Sequence, residues 1–82
     1  ANVESNISIF PNPTSDFVNI LLNTYKHGRV NIRDINGKVI YSNVIEGNTT
    51  IETSAWTPGV YLVEVLSNGR SFRSKLLKDS GL

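Results

Sequence analysis

Side chains able to do chemistry are few in this chain, and they lie apart. The single histidine, His27, sits in the polar stretch Thr24-Tyr25-Lys26-His27-Gly28. A metal site or a Ser-His-Asp triad would have to be assembled around that one loop residue, and a solvated turn is the simpler reading. The carboxylates Glu4, Asp16, Asp34, Glu46, Glu52, Glu64 and Asp79 are dispersed, with no two at a spacing that forces a pair, so glycoside hydrolysis by paired acids has no local support. With no cysteine and no methionine, disulfides, thiolate metal sites and cysteine nucleophiles are excluded. Each of the six glycines stands alone at a turn, and none belongs to a phosphate-cradling loop. Lys plus Arg number 8 against 7 for Asp plus Glu, a formal net charge of +1 that does not fit a nucleic-acid binder. The expectation is a chain with no catalytic residue, no cofactor and no nucleic-acid partner. No metal site is expected either, although exposed Asp and Asn side chains in loops leave a bound calcium open.

Two features remain. Trp56 is the lone tryptophan, and a sugar-binding module would expose such a ring as a stacking platform. Closing one end of a core short of large residues is the preferred reading, because tryptophans are highly buried on average. The run Arg70-Ser71-Phe72-Arg73-Ser74-Lys75-Leu76-Leu77-Lys78 is the one concentration of positive charge. It reads either as an edge strand whose cations block edge-to-edge aggregation or as an extended handle whose backbone another protein pairs with. The residue pattern by itself does not choose.

The elements that must position these residues are strands. At 82 residues the chain makes one domain, and no stretch approaches the roughly 20 apolar residues that span a bilayer. Short β-branched runs alternate with turn residues, and no window sustains a helical period. Ile7 to Phe10 is a strand that must stop at Pro11-Asn12-Pro13, since neither proline donates to a ladder. Phe17 to Leu22 follows, then a polar turn over Asn23 to Gly28. Arg29 to Ile35 and Lys38 to Val44 form a hairpin about Asn36-Gly37. Treated as a two-residue type I′ turn, that pair sets Val39 opposite Asp34 and Tyr41 opposite Ile32, so Val30, Ile32, Val39 and Tyr41 share the apolar face while Ile35 and Ile40 fall on the other. Thr49 to Glu52 is a short strand, and Ser54 to Gly59 is a turn into the longest strand, Gly59 to Leu66. Asn68-Gly69 repeats the hairpin signal, setting Phe72 opposite Val65, Ser74 opposite Val63 and Leu76 opposite Tyr61. One face of each hairpin is core and the other is mostly wet, and Tyr25 is left as the free aromatic. About seven antiparallel strands in so short a chain predict an all-β, immunoglobulin-like β-sandwich. Exposed edge strands add the expectation of a weak dimer by strand addition.

Four stretches in order and spacing resemble a known family: Ile9-Phe10-Pro11-Asn12-Pro13-Thr14-Ser15, Asp34-Ile35-Asn36-Gly37-Lys38-Val39, Pro58-Gly59-Val60-Tyr61-Leu62-Val63-Glu64-Val65 and Lys75-Leu76-Leu77-Lys78. Together they are similar to the type A C-terminal sorting domain of the type IX (Por) secretion system. The resemblance implies a non-enzymatic secretion signal at the end of a larger cargo protein of a Gram-negative bacterium. That cargo would pass through the periplasm and be taken across the outer membrane by a translocon that recognises the domain. A sortase-like cysteine protease would then remove the domain and join the cargo to anionic lipopolysaccharide at the cell surface. Lys75, Leu76, Leu77 and Lys78 are the run implied in translocon recognition, with Gly59 and Tyr61 serving turn geometry and core packing. On this reading residues 1–6 link to upstream cargo, 7–78 are the sorting domain, and 79–82 are a tail that departs from the family's lysine-rich ending, native or left from cloning. The domain itself is not expected to insert into the membrane. The alternative is an immunoglobulin-like binding or adhesion module, for carbohydrate or protein, in an extracellular multidomain protein, with Trp56 as its ring.

Overall fold

The computed structural model describes residues 7–22, 27–67 and 69–79. They form β1 (Ile7–Phe10), β2 (Phe17–Leu22), β3 (His27–Arg33), β4 (Val39–Glu46), β5 (Asn48–Glu52), β6 (Gly59–Ser67) and β7 (Arg70–Lys78). Two antiparallel sheets result, one ordered β1-β2-β5 and the other β4-β3-β6-β7. Pairing of β3 with β6 is the long-range crossing of an immunoglobulin-type sandwich, and it confirms the all-β expectation. Alternate residues point inward, as the two-residue period of a strand requires. Val18, Ile20, Leu22 and Ile51 from the smaller sheet meet Val30, Ile32, Val63, Val65 and Leu76 from the larger, all buried. Each such side chain stabilises the fold by about 1.5–3 kcal/mol through removal from water.

Register in the β6-β7 hairpin is the one the turn residues predict. Ser67 lies opposite Arg70, leaving two positions for the turn, and Tyr61↔Leu76, Val63↔Ser74 and Val65↔Phe72 follow along the ladder. Gly69 has φ +77°, while Asn68 lies outside the described residues.

The β3-β4 hairpin corrects the two-residue turn. Gly37 N–H donates to Asp34 O at 3.0 Å and Asp34 N–H donates to Lys38 O at 3.0 Å, so the loop is the three residues Ile35, Asn36 and Gly37. Asp34 drives this choice, because its Oδ1 accepts from the N–H of both Asn36 (2.9 Å) and Lys38 (3.0 Å), and Gly37 supplies the positive φ of +86° that closes such a loop. Val39 therefore pairs with Arg33 rather than Asp34, and a bulge beyond it restores the expected Ile32↔Tyr41 pair. One extra residue reverses the faces of two neighbours. Val39 is exposed, and Ile40 instead packs against the core beside Tyr41.

The turn expected over Asn23 to Gly28 also ends earlier. Residues 23–26, Tyr25 among them, lie outside the described residues, but His27 and Gly28 already belong to β3, opposite Glu46 and Ile45. Gly28 is required there by close approach, since a Cβ would sit 2.8 Å from the backbone O of Leu66 and 3.1 Å from Ser67 Cβ. Gly28→Ala is expected to force β3 and β6 apart and to destabilise the chain by about 1–3 kcal/mol, the usual range for overpacking, read as a lowered urea midpoint.

Candidate recognition site

In an antiparallel sandwich of this order, the ends of β1, β3, β5 and β7 and the beginnings of β2, β4 and β6 lie at one end. The four sequence stretches fall on those positions, so residues far apart in the chain gather there. His27, at the start of β3, lies at the opposite end.

The opening stretch fastens the terminal one. Pro11 and Pro13 have no N–H to give to β2, so the chain leaves the smaller sheet and runs beside the outer edge of β7, where Thr14 and Lys78 form a parallel bridge. The Asn12 side chain acts as a surrogate peptide group: its Nδ2 donates to Lys75 O at 2.9 Å and its Oδ1 accepts from Leu77 N–H at 2.9 Å. Thr14 N–H donates to Leu77 O at 2.7 Å, Asp79 N–H donates to Thr14 O at 3.0 Å, and Ser15 Oγ donates to Asp79 Oδ2 at 2.6 Å. Beneath this seam the buried hydroxyls of Thr14 and Thr53 lie 3.0 Å apart. Thr14 Oγ1 also donates to Phe17 O, and Thr53 N–H donates to Asp16 O at 2.9 Å. Among the described residues no buried side-chain N or O is left without a partner. Asn12→Ala removes two hydrogen bonds and is expected to destabilise the chain by about 1–3 kcal/mol, at about 1 kcal/mol each with some relaxation. The accompanying signature is faster amide exchange at Leu77.

The terminal run is split by its own alternation. Leu76 is fully buried opposite Tyr61, and Lys78 is 7% exposed opposite Gly59, with its Nζ reaching Asp79 O at 3.4 Å. Lys75 and Leu77 face outward opposite Leu62 and Val60. The reading of this strand's cations as edge gatekeepers is corrected for Lys78, which is buried where it bridges to Thr14, while Lys75 stays exposed.

Next to this strand, Tyr61 is 6% exposed, its hydroxyl donates to Thr57 O, and its ring centroid lies 5.0 Å from that of Trp56. A tyrosine near the start of the sixth strand bonded to backbone just upstream is the corner that closes immunoglobulin-type sandwiches. Burial, with Asp34 nearby as the smaller cause, pushes the Tyr61 phenol above its ordinary pKa. Trp56 is half-buried and packs against the core, in line with the core reading. Between the β3-β4 hairpin and residues 57–61 lies an open cleft of about 310 Å³, lined by Asp34, Asn36, Thr57 and Tyr61. These groups hold no nucleophile paired with a base, and the site's chemistry is that of backbone pairing and surface contact. Thr53 carries no mark in the sequence, and the residue types of Ser15 and Asp79 do not show that the two pair, because nothing local identifies a hydroxyl or a carboxylate whose partner is a distant stretch of chain.

A family model described as the secretion system C-terminal sorting domain matches residues 8–79, nearly the whole described chain. The chain belongs to that family, whose members are type IX C-terminal sorting signals. An endo-acting ulvan lyase of Formosa agariphila is 34% identical over 80 residues, covering 94% of this chain and 16% of the lyase. The chain thus spans about one-sixth of that protein's length. Membership makes the chain a tail of a larger cargo handled by the type IX system and implies export to the cell surface or extracellular space.

Proposed function

We propose that this domain carries an upstream cargo through the periplasm to the type IX translocon, and that the translocon reads the Lys75 to Lys78 run in its fastened form. Lys75 and Leu77 make the contacts, while Leu76 and Lys78 hold the strand in the sandwich. A sortase-like protease then cuts within or before residues 1–6 and leaves the cargo at the surface. Residues 7–78 are the signal and perform no reaction. The observation that supports this most directly is the seam between Asn12-Pro13-Thr14 and Lys75-Leu76-Leu77-Lys78, in which a segment outside both sheets holds the last strand. The binding-module alternative lacks support, because Trp56 packs on Tyr61 and the core rather than standing as a free platform.

The test fuses the chain to a periplasmic fluorescent protein in a type IX-competent strain and compares surface release with and without Lys75 to Leu82. Release should depend on those residues. A folded, intact fusion retained in the periplasm would overturn the proposal.

A further inference from the structure

The outer face of the four-stranded sheet is less polar than strand alternation leads one to expect. On β6, Val60, Leu62 and Leu66 point outward and are about two-fifths exposed, at 40%, 40% and 39%. Leu77, opposite Val60, is 41% exposed. Across β3 the same rows continue to Val39 and Val44 on β4, through the pairs Leu62↔Arg33↔Val39 and Leu66↔Arg29↔Val44. Val60, Leu62 and Leu77 adjoin one another directly, while Arg33 and Arg29 stand between the β6 leucines and the two β4 valines, and Glu64 between Leu62 and Leu66. Four strands at ~4.8 Å spacing and six residues of rise give the whole face, polar rows included, roughly 400 Å², the scale of one side of a transient interface.

Its polar groups are mostly satisfied within the face. Glu64 accepts from Arg33 at 3.3 Å and from Arg73 at 3.4 Å, while Arg29 donates to Ser42, which donates to Asn31. Covering them leaves few polar groups newly orphaned. Lys75 has no carboxylate partner among the described residues. The face holds four cations, Arg29, Arg33, Arg73 and Lys75, against Glu64 and Glu46, in a chain whose formal net charge is only +1. A second copy placed face to face would bring like charges together, so the complementary occupant is a different surface, apolar where it meets Val60, Leu62 and Leu77 and acidic where it meets the cations.

We propose that this face is a docking surface for a protein partner presenting an apolar strip flanked by carboxylates, one of which meets Lys75. The proposal rests on the sorting reading and deepens it: the partner is one met during export, and its contact extends from Lys75 and Leu77 across the sheet to Leu62 and Leu66. Three fluorescent fusions separate the two claims: the parent, the Lys75 to Leu82 deletion, and Val60→Thr/Leu62→Thr/Leu66→Thr. Threonine keeps strand propensity on a solvent face, so the urea midpoint should hold. If the triple variant is unstable, Leu62→Thr alone takes its place. Surface release should fall about tenfold in the threonine variant, as loss of a central apolar contact predicts, and Lys75→Glu should fall with it. Normal release from the folded threonine variant, with the deletion blocked, overturns the docking face and leaves the sorting reading intact. Normal release from the deletion itself overturns the sorting reading. Flotation of the parent chain with phosphatidylglycerol-containing vesicles, lost in the threonine variant, would overturn the protein partner in favour of a lipid surface. Sedimentation showing a dimer that the threonine substitutions abolish would overturn it in favour of a second copy.

Discussion

Tyr61→Ala is expected to destabilise the chain by about 3–5 kcal/mol, the range for removing a buried aromatic ring. A chain of this length holds roughly 4–12 kcal/mol in total, so the variant should lose a large share of its stability and unfold if the parent lies at the lower end of that range. The substitution deletes three things at once: a ring 6% exposed between the sheets, its contact with Trp56, and the hydroxyl bond to Thr57 O that ties the turn before β6 to that strand. Tyr61→Phe separates the last from the others and should lose only about 0.5–1.5 kcal/mol in urea denaturation. The pH dependence has a fixed sign. Since the native phenol titrates above the ordinary tyrosine value, the unfolded chain gives up this proton first. The ring's contribution is therefore whole below pH ~10 and is lost as pH rises from there through the raised native value. Tyr61→Phe should flatten the alkaline fall in the urea midpoint.

Leu76→Ala should destabilise by about 2–5 kcal/mol, although this residue belongs to the run proposed for recognition. Its side chain is fully buried opposite Tyr61, so a double variant with Tyr61→Ala should lose less than the sum of the two. Lys75→Glu, on the exposed face of the same strand, should stay within about 0.5 kcal/mol of the parent. Lys78→Glu falls between them at about 1–3 kcal/mol, because it places a carboxylate beside Gly59 and Thr14 where water reaches little. Urea midpoints in that order would establish that alternate residues of one short run serve packing and presentation. Among point variants of the terminal run, export assays separate contact from packing only where the midpoint survives, which favours Lys75 and Leu77 over their neighbours.

Most of the strand pattern was legible because it is local. β1 and β2 end where proline, or the loss of the apolar alternation, ends them, and the β6-β7 register follows from a two-position turn. Misplacing Val39 and Ile40 had an equally local cause. Asn-Gly signals a hairpin, but the Asp34 side chain two residues earlier captured the N–H groups of Asn36 and Lys38 and lengthened the loop by one. Competition between a side chain and the backbone for the same donors was visible as a residue type, though not as an outcome.

Residue types alone determined that this chain is all-β, that it lacks cysteine chemistry, and that four stretches mark it as a sorting domain. Tertiary structure decided how those stretches relate. Asn12 and Lys75 are 63 residues apart, and nothing in either neighbourhood specifies that the amide of one replaces a missing strand beside the other. That pairing exists because Pro11 and Pro13 exclude the segment from its own sheet while β7, last in the order β4-β3-β6-β7, has an unpaired edge waiting at the same end. Backbone donors and acceptors must be satisfied wherever they are covered, and only the assembled sandwich brings the donors of one motif to the acceptors of the other.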